Sequence, residues 1–135
     1  MFADFDESSF PIVNVILHEG PLNDNDFNLF IQKWVEYYNN KQFFSFVFDT
    51  TELKNPSFKY ALKMPIFIYY LKKRNIQYLE KSIILINDNK IKYLLDFIFS
   101  VQKPVAPVYI YNIKQGMIND HQDIIKDENT LTIMP

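Results

Sequence analysis

The chain reads as an α/β domain built on a mixed, largely parallel sheet of four to five strands. Three observations lead there. Short apolar runs rich in aromatic and β-branched residues alternate with amphipathic helical patterns. The connections between them are short, as βα units require. The first strong run, PIVNVIL (Pro11 to Leu17), is too apolar to keep one face fully wet.

The elements follow in order. Phe2 to Asp6 predicts a short edge strand, antiparallel because too few residues separate it from Pro11 for a crossover. Pro11 to Leu17 is the next strand. His18 to Asp26 is a loop punctuated by Gly20-Pro21, with Asn23 or Asp24 placed to cap a helix. Phe27, Phe30, Ile31, Trp34, Val35 and Tyr38 then fall at helical spacing on one face, and Asn39-Asn40 ends the pattern. Phe43 to Phe48 is the second strong strand. Asn55-Pro56 predicts a helix start, and the helix should reach about Arg74, kinked or split by Pro65. Its apolar residues divide over two faces, with Phe58, Leu62, Ile66 and Tyr69 on one, and Met64, Phe67, Ile68 and Leu71 on the other. Such a helix is either well buried or offers an apolar surface to a partner. Ser82 to Ile86 is a core strand, Asn87 to Asn89 a turn and cap. Ile91, Leu94, Leu95, Ile98 and Val101 mark another amphipathic helix, stopped before Pro104. Val108 to Tyr111 is the last strand expected. Residues 1–113 thus form one domain, and 114–135 an extension. That extension holds a short helix within Met117 to Lys126 and a final TLTIMP that is loose or docks.

Composition narrows the function classes. The chain has 135 residues, 48% of them hydrophobic, enough for a packed core without staples. Net charge is −2, so charge alone does not draw it to nucleic acid. Lys72-Lys73-Arg74 stands where a helix should end and complements its dipole. With no Cys there is no disulfide or thiolate chemistry, and an intracellular, cytoplasmic setting is expected. MFADFDESSF lacks the pattern of a signal peptide, and no apolar run approaches the roughly 20 residues of a membrane span. With only Gly20 and Gly116, no dinucleotide fingerprint, Walker loop or Gly-x-Ser-x-Gly elbow can be built. No cofactor and no metal is therefore expected.

The sharpest candidate is the end of FVFDTTEL. Asp49, Thr50 and Thr51 stand beyond the carboxyl end of a strand and before a helix, where open α/β sheets bind ligands and anions. The bland reading has Asp49 or Thr51 bonding to nearby backbone amides, as these short side chains commonly do. A receiver-like acidic site would need Glu19, Asp24 and Lys114, which are poorly placed. His18 and Glu19 are adjacent and point to opposite faces of an extended chain, so they do not make a dyad. Asp24, Asp26, Asp49 and Asp88 could gather at one sheet end to hold Mg²⁺, though their spacing does not ask for it. The aromatic residues of the second helix either cap the core or anchor an interface.

The element order resembles the STAS domain, the anti-sigma-factor antagonist-like fold, and more distantly the CRAL-TRIO lipid-binding fold. IVNVILHEGPLND (Ile12 to Asp24) is similar to the family's strand and "G-x-L-D" turn, through Gly20 and Leu22. FVFDTTEL is similar to its "D-x-S-x-V" strand end, through Asp49, Thr51 and Leu53. The phosphorylatable Asp-Ser-Ser-Gly turn is replaced by NPSFKY, Asn55 to Tyr60. The resemblance implies a non-enzymatic scaffold that binds a protein or a small ligand. The sequence thus leads to a protein-interaction module, docking a protein partner or a second copy. Its binding loop would be Asp49, Thr50, Thr51, Ser57 and Phe58, with the two threonines and the serine as phosphorylation sites, and its interface Tyr60, Met64, Phe67 and Tyr70. The alternative is a small-molecule or lipid-binding domain with an apolar pocket under the second helix.

Overall fold

The computed structural model describes residues 2–21, 23–54 and 56–135. Among them run β1 (Ala3–Asp6), β2 (Ile12–Leu17), α1 (Asp24–Asn39), β3 (Phe44–Asp49), α2 (Phe58–Ala61) and α3 (Met64–Leu71). Then come β4 (Leu79–Ile86), α4 (Asn89–Val101), β5 (Val108–Asn112), α5 (His121–Lys126) and β6 (Leu131–Ile133). The strands lie side by side in chain order. β2, β3, β4 and β5 are parallel, and β1 and β6 are antiparallel edges. The sheet therefore has six strands, where the sequence predicted four to five. The added strand comes from TLTIMP, which pairs Leu131, Thr132 and Ile133 with β5. Three residues with only Ile133 turned inward are too few to display a period of two.

Crossovers between parallel strands are right-handed, and here each steps one strand further in the same direction. Helices α1, α2–α3 and α4 must then gather on one face. Strand alternation agrees. Phe46 and Phe48 of β3 and Ile84 of β4 share a core with Trp34, Ile68 and Ile98 from the three crossovers. Their alternate neighbours Val47 and Ile83 point the other way, and with Tyr111 of β5 pack on Ile124 of α5. The segment read as an extension thus supplies the cover for the second face. It is pinned there by the Tyr111 hydroxyl donating to the Gly116 carbonyl (2.6 Å) and the Thr130 hydroxyl donating to the Ile124 carbonyl (2.6 Å).

Helix α1 begins where the Asn23 side chain accepts from the Asp26 amide at 2.9 Å. Its inward face carries Phe30 and Trp34 onto the β3 rings. Trp34 meets Phe46 edge-on, with centroids 4.9 Å apart, and such pairs add about 0.5–1.5 kcal/mol beyond burial. The helix ends through Lys41, which takes the left-handed conformation at φ 56°.

The second helix divides as Pro65 requires. α2 ends at Ala61, two residues turn, and Pro65 sits in the first turn of α3, where its missing N–H leaves no bond unmade. The proposed starting residue Asn55, like Leu22 of the family pattern, lies outside the described residues. The two predicted faces separate cleanly. Phe58, Leu62, Ile66 and Tyr69 are exposed, whereas Ile68 and Leu71 are buried and Met64 and Phe67 half-buried. No helix among the described residues is long and apolar enough to cross a membrane.

Candidate functional site

The helices roof the sheet without filling the space beneath them. A cavity of about 180 Å³ lies between the inner face of α2–α3 and the strands. Ser82, Ile84 and Val108 form part of its floor. Tyr60, Ala61, Met64 and Ile68 form its roof, with Phe30 and Trp34 of α1 on one flank and Leu95 and Ile98 of α4 on the other. The space has a local cause. The β3–β4 crossover has only a four-residue and an eight-residue helix, and small side chains stand where bulk would close the gap. Ser82 faces the roof where its β3 neighbour is Phe46, and Ala61 and Ala106 line the same volume.

The lining extends along the strands. At one end are Leu79 and Val105, near the amino ends of β4 and β5. At the other are Thr50, Leu53 and the Gly20-Pro21 loop, past the carboxyl ends of β2 and β3, where Leu53, Pro56 and Ser57 are half-buried. On β4 alone the lining runs from Leu79 to Ile84, about 17 Å at the usual strand rise. The walls are almost wholly apolar. Among the described residues one buried side-chain polar atom has no partner, the indole nitrogen of Trp34, a wall residue.

The roof is latched to α1. The Tyr60 hydroxyl donates to Asp24 Oδ1 at 2.9 Å, and the Lys59 and Lys63 ammonium groups each stand 3.4 Å from the same oxygen. Tyr60 also stacks on Phe27 with centroids 5.3 Å apart. The Tyr60 hydroxyl, then Lys59 and Lys63, hold the Asp24 carboxyl below its ordinary range, while burial and Asp24 push the Tyr60 phenol up. Because Asp24 titrates lower in the folded chain than in the unfolded one, the latch is at full strength above the ordinary aspartate range. It is lost as pH falls through the lowered folded value. Glu7, held low by the Tyr37 hydroxyl and Lys33, works in the same direction. Tyr60→Phe should therefore flatten the fall of Tm between pH 5 and pH 3 relative to the unaltered chain. An unchanged slope would mean that the latch adds nothing.

The sequence-predicted loop residues are placed as follows. Asp49 Oδ1 accepts from the Thr51 amide (2.9 Å) and the Thr51 hydroxyl (2.6 Å), so the two satisfy one another in a turn. Thr50 is buried, and its hydroxyl donates to the Leu85 carbonyl at 2.8 Å. Asp49→Ala should cost about 1 kcal/mol of stability in urea unfolding, and no measurable loss would mean that its bonds to Thr51 add nothing. Thr50 and Ser57 line the cavity, while Phe58 turns outward against Phe97 of α4 with centroids 5.3 Å apart. The four proposed interface residues do not form one surface. Tyr60 and Met64 line the cavity, Phe67 packs edge-on against Trp34 at 5.3 Å, and only Tyr70 is fully outward.

His18 does not work with Glu19. Its Nε2 lies 2.7 Å from Asp4 Oδ2 and its Nδ1 3.6 Å from Glu52 Oε2, tying the end of β2 to β1 and to the turn after β3. Among the described residues no three His, Asp or Glu side chains cluster as a metal site would need, so Asp24, Asp26, Asp49 and Asp88 do not gather. Sequence reasoning missed the cavity wall formed by Trp34, Ile84 and Ile98. Its one local signal was Ser82, a polar residue opening the apolar run SIILI.

Comparison of the chain with protein-family models, with curated proteins and with solved structures finds no match in any of the three.

Proposed function

We propose that the chain is a non-catalytic binding domain for a small apolar ligand, of about the girth of one hydrocarbon chain, held between the helices and the sheet. The observation that carries this reading is the cavity of about 180 Å³ with apolar walls. Water within such walls finds few hydrogen-bond partners, so an apolar molecule that takes its place is favoured. A non-catalytic role also agrees with the resemblance to STAS and CRAL-TRIO domains in element order.

The protein-docking reading, regulated at Thr50, Thr51 or Ser57, has less support. Thr50 is buried and bonded to Leu85, and Asp49 and Thr51 are bonded to each other. Phosphate on Thr50 would have to be accommodated inside an apolar wall.

The test uses the chain's only tryptophan, which stands in the cavity wall. Titration with a series of unbranched fatty acids below their micellar concentrations should shift Trp34 emission saturably at one equivalent. Affinity should rise about fourfold per added methylene, from about 0.8 kcal/mol each, and level off once the cavity is full. Native mass spectrometry of the purified protein gives the second readout. A bare mass together with no emission change across the series would overturn the reading.

A further inference from the structure

The helices that roof the cavity carry a second feature on their outer side. Between Glu52 and Glu80 the chain has no acidic residue, yet it holds Lys54, Lys59, Lys63, Lys72, Lys73 and Arg74. The other eight Lys and Arg face all sixteen Asp and Glu, so the remainder of the chain is strongly acidic while this segment carries +6. From α1, Asp24 reaches the segment and pairs with Lys59 and Lys63.

The same segment exposes apolar surface. Phe58, Leu62 and Ile66 recur at four-residue steps and lead to the adjacent Tyr69 and Tyr70, each of the five between 46% and 63% exposed. Cations and rings are interleaved, with Lys73 Nζ 4.5 Å from the Tyr69 ring centroid and 5.7 Å from that of Tyr70. Aromatic and aliphatic side chains flanked by Lys and Arg, with no acid among them, make the composition of a helix lying in an anionic lipid interface. A second copy would bring two such cationic faces together, which opposes a dimer through this surface.

We propose that the outer face of α2–α3 docks on an anionic lipid bilayer, and that the ligand of the cavity directly beneath is drawn from that bilayer. This deepens the reading of the cavity and rests on it for the ligand's source. The bilayer contact itself stands on the charge and exposure of the segment. Docking sets Phe58, Leu62 and Ile66 among the acyl chains and the lysines at the headgroups. The roof helices are then the part of the protein nearest the lipid.

Co-sedimentation of the full chain with vesicles tests it. One set is phosphatidylcholine alone, the other phosphatidylcholine with a third phosphatidylserine. Binding is expected to the anionic vesicles only, and it should weaken as salt is raised. Reversing Lys72, Lys73 and Arg74 to Glu should weaken it at least about a hundredfold, since each lost cation alone accounts for about a fivefold step. Ile66→Glu with Tyr70→Glu should weaken it without removing a cation. None of these five residues lines the cavity, so the Trp34 titration of both variants in vesicle-free solution should be unchanged. No binding to anionic vesicles, equal binding to both vesicle types, or binding indifferent to both variants overturns the docking. A dimer that loses its contact in Ile66→Glu overturns it as well. In each of those cases the Trp34 titration reports separately whether the cavity reading stands.

Discussion

Ala61→Leu should abolish ligand uptake while making the chain more stable. Ala61 is buried on α2 and lines the roof of the cavity. Leucine is as good a helix former as the site needs. Its three extra carbons enter space that is otherwise unfilled, which removes void and adds burial. At about 0.8 kcal/mol per methylene the gain approaches about 2 kcal/mol. For a domain of this length that raises Tm by several degrees, at roughly 3–5 °C per kcal/mol. The Trp34 titration should lose its saturable phase in the same variant. Ser82→Val on the floor should act the same way, since it puts two methyls in place of a hydroxyl on an apolar wall. If both variants instead lower stability by more than about 1 kcal/mol, the signature of overpacking, the space is not there to be filled. The binding reading would then fall with it.

Ile124→Ala should cost about 2–5 kcal/mol in urea unfolding, the range for truncating a fully buried isoleucine. Ile124 is 1% exposed and packs on Val47, Ile83 and Tyr111 from the face of the sheet opposite the three crossovers. It is the one residue of α5 that is buried, so the cover of that face hangs largely on it. A loss under about 0.5 kcal/mol, the level of an ordinary surface change, would mean that α5 is only resting on the sheet. Removing residues 114–135 altogether should be worse than the point change. It would uncover Val47, Ile83 and Tyr111 and also strip β6 from β5, leaving an unpaired edge open to association with other chains. Light scattering of the shortened protein reads that out directly.

Much of this fold was legible because its elements obey local periods. The six apolar residues of α1, from Phe27 to Tyr38, sit at helical spacing, and the Asn23 cap and Asn39 end bracket them. Pro65 announced the break between α2 and α3. The separation of Phe58, Leu62 and Ile66 from Ile68 and Leu71 is visible in the sequence as two stripes. The short helix expected within Met117 to Lys126 is there as α5, but the face it covers was not legible, because it buries a single residue. The final strand was not legible either, because β6 turns only Ile133 partly inward and is too short to display a period.

The site was read less well, and for a different reason. Asp49, Thr50 and Thr51 were singled out by residue type and place in the chain. What decides their role is the Leu85 carbonyl, 35 residues away from Thr50, and the geometry of the turn itself. Tyr60 looked like an interface anchor until its hydroxyl was seen to reach Asp24 across the top of the cavity.

The sequence by itself determined the alternation of strand and helix, the two stripes of the second helix, and the cationic, acid-free run from Lys54 to Arg74. Each is a property of neighbours along the chain, set by periods of 2 and 3.6 and by residue charge. The tertiary structure alone decided which face of the sheet the last 22 residues cover and where the core stays open. A cavity is the difference between the space that packed elements enclose and the side chains that enter it. Ser82, Ala61 and Ala106 lie on different elements, and only their convergence under the short α2–α3 crossover leaves that space unfilled.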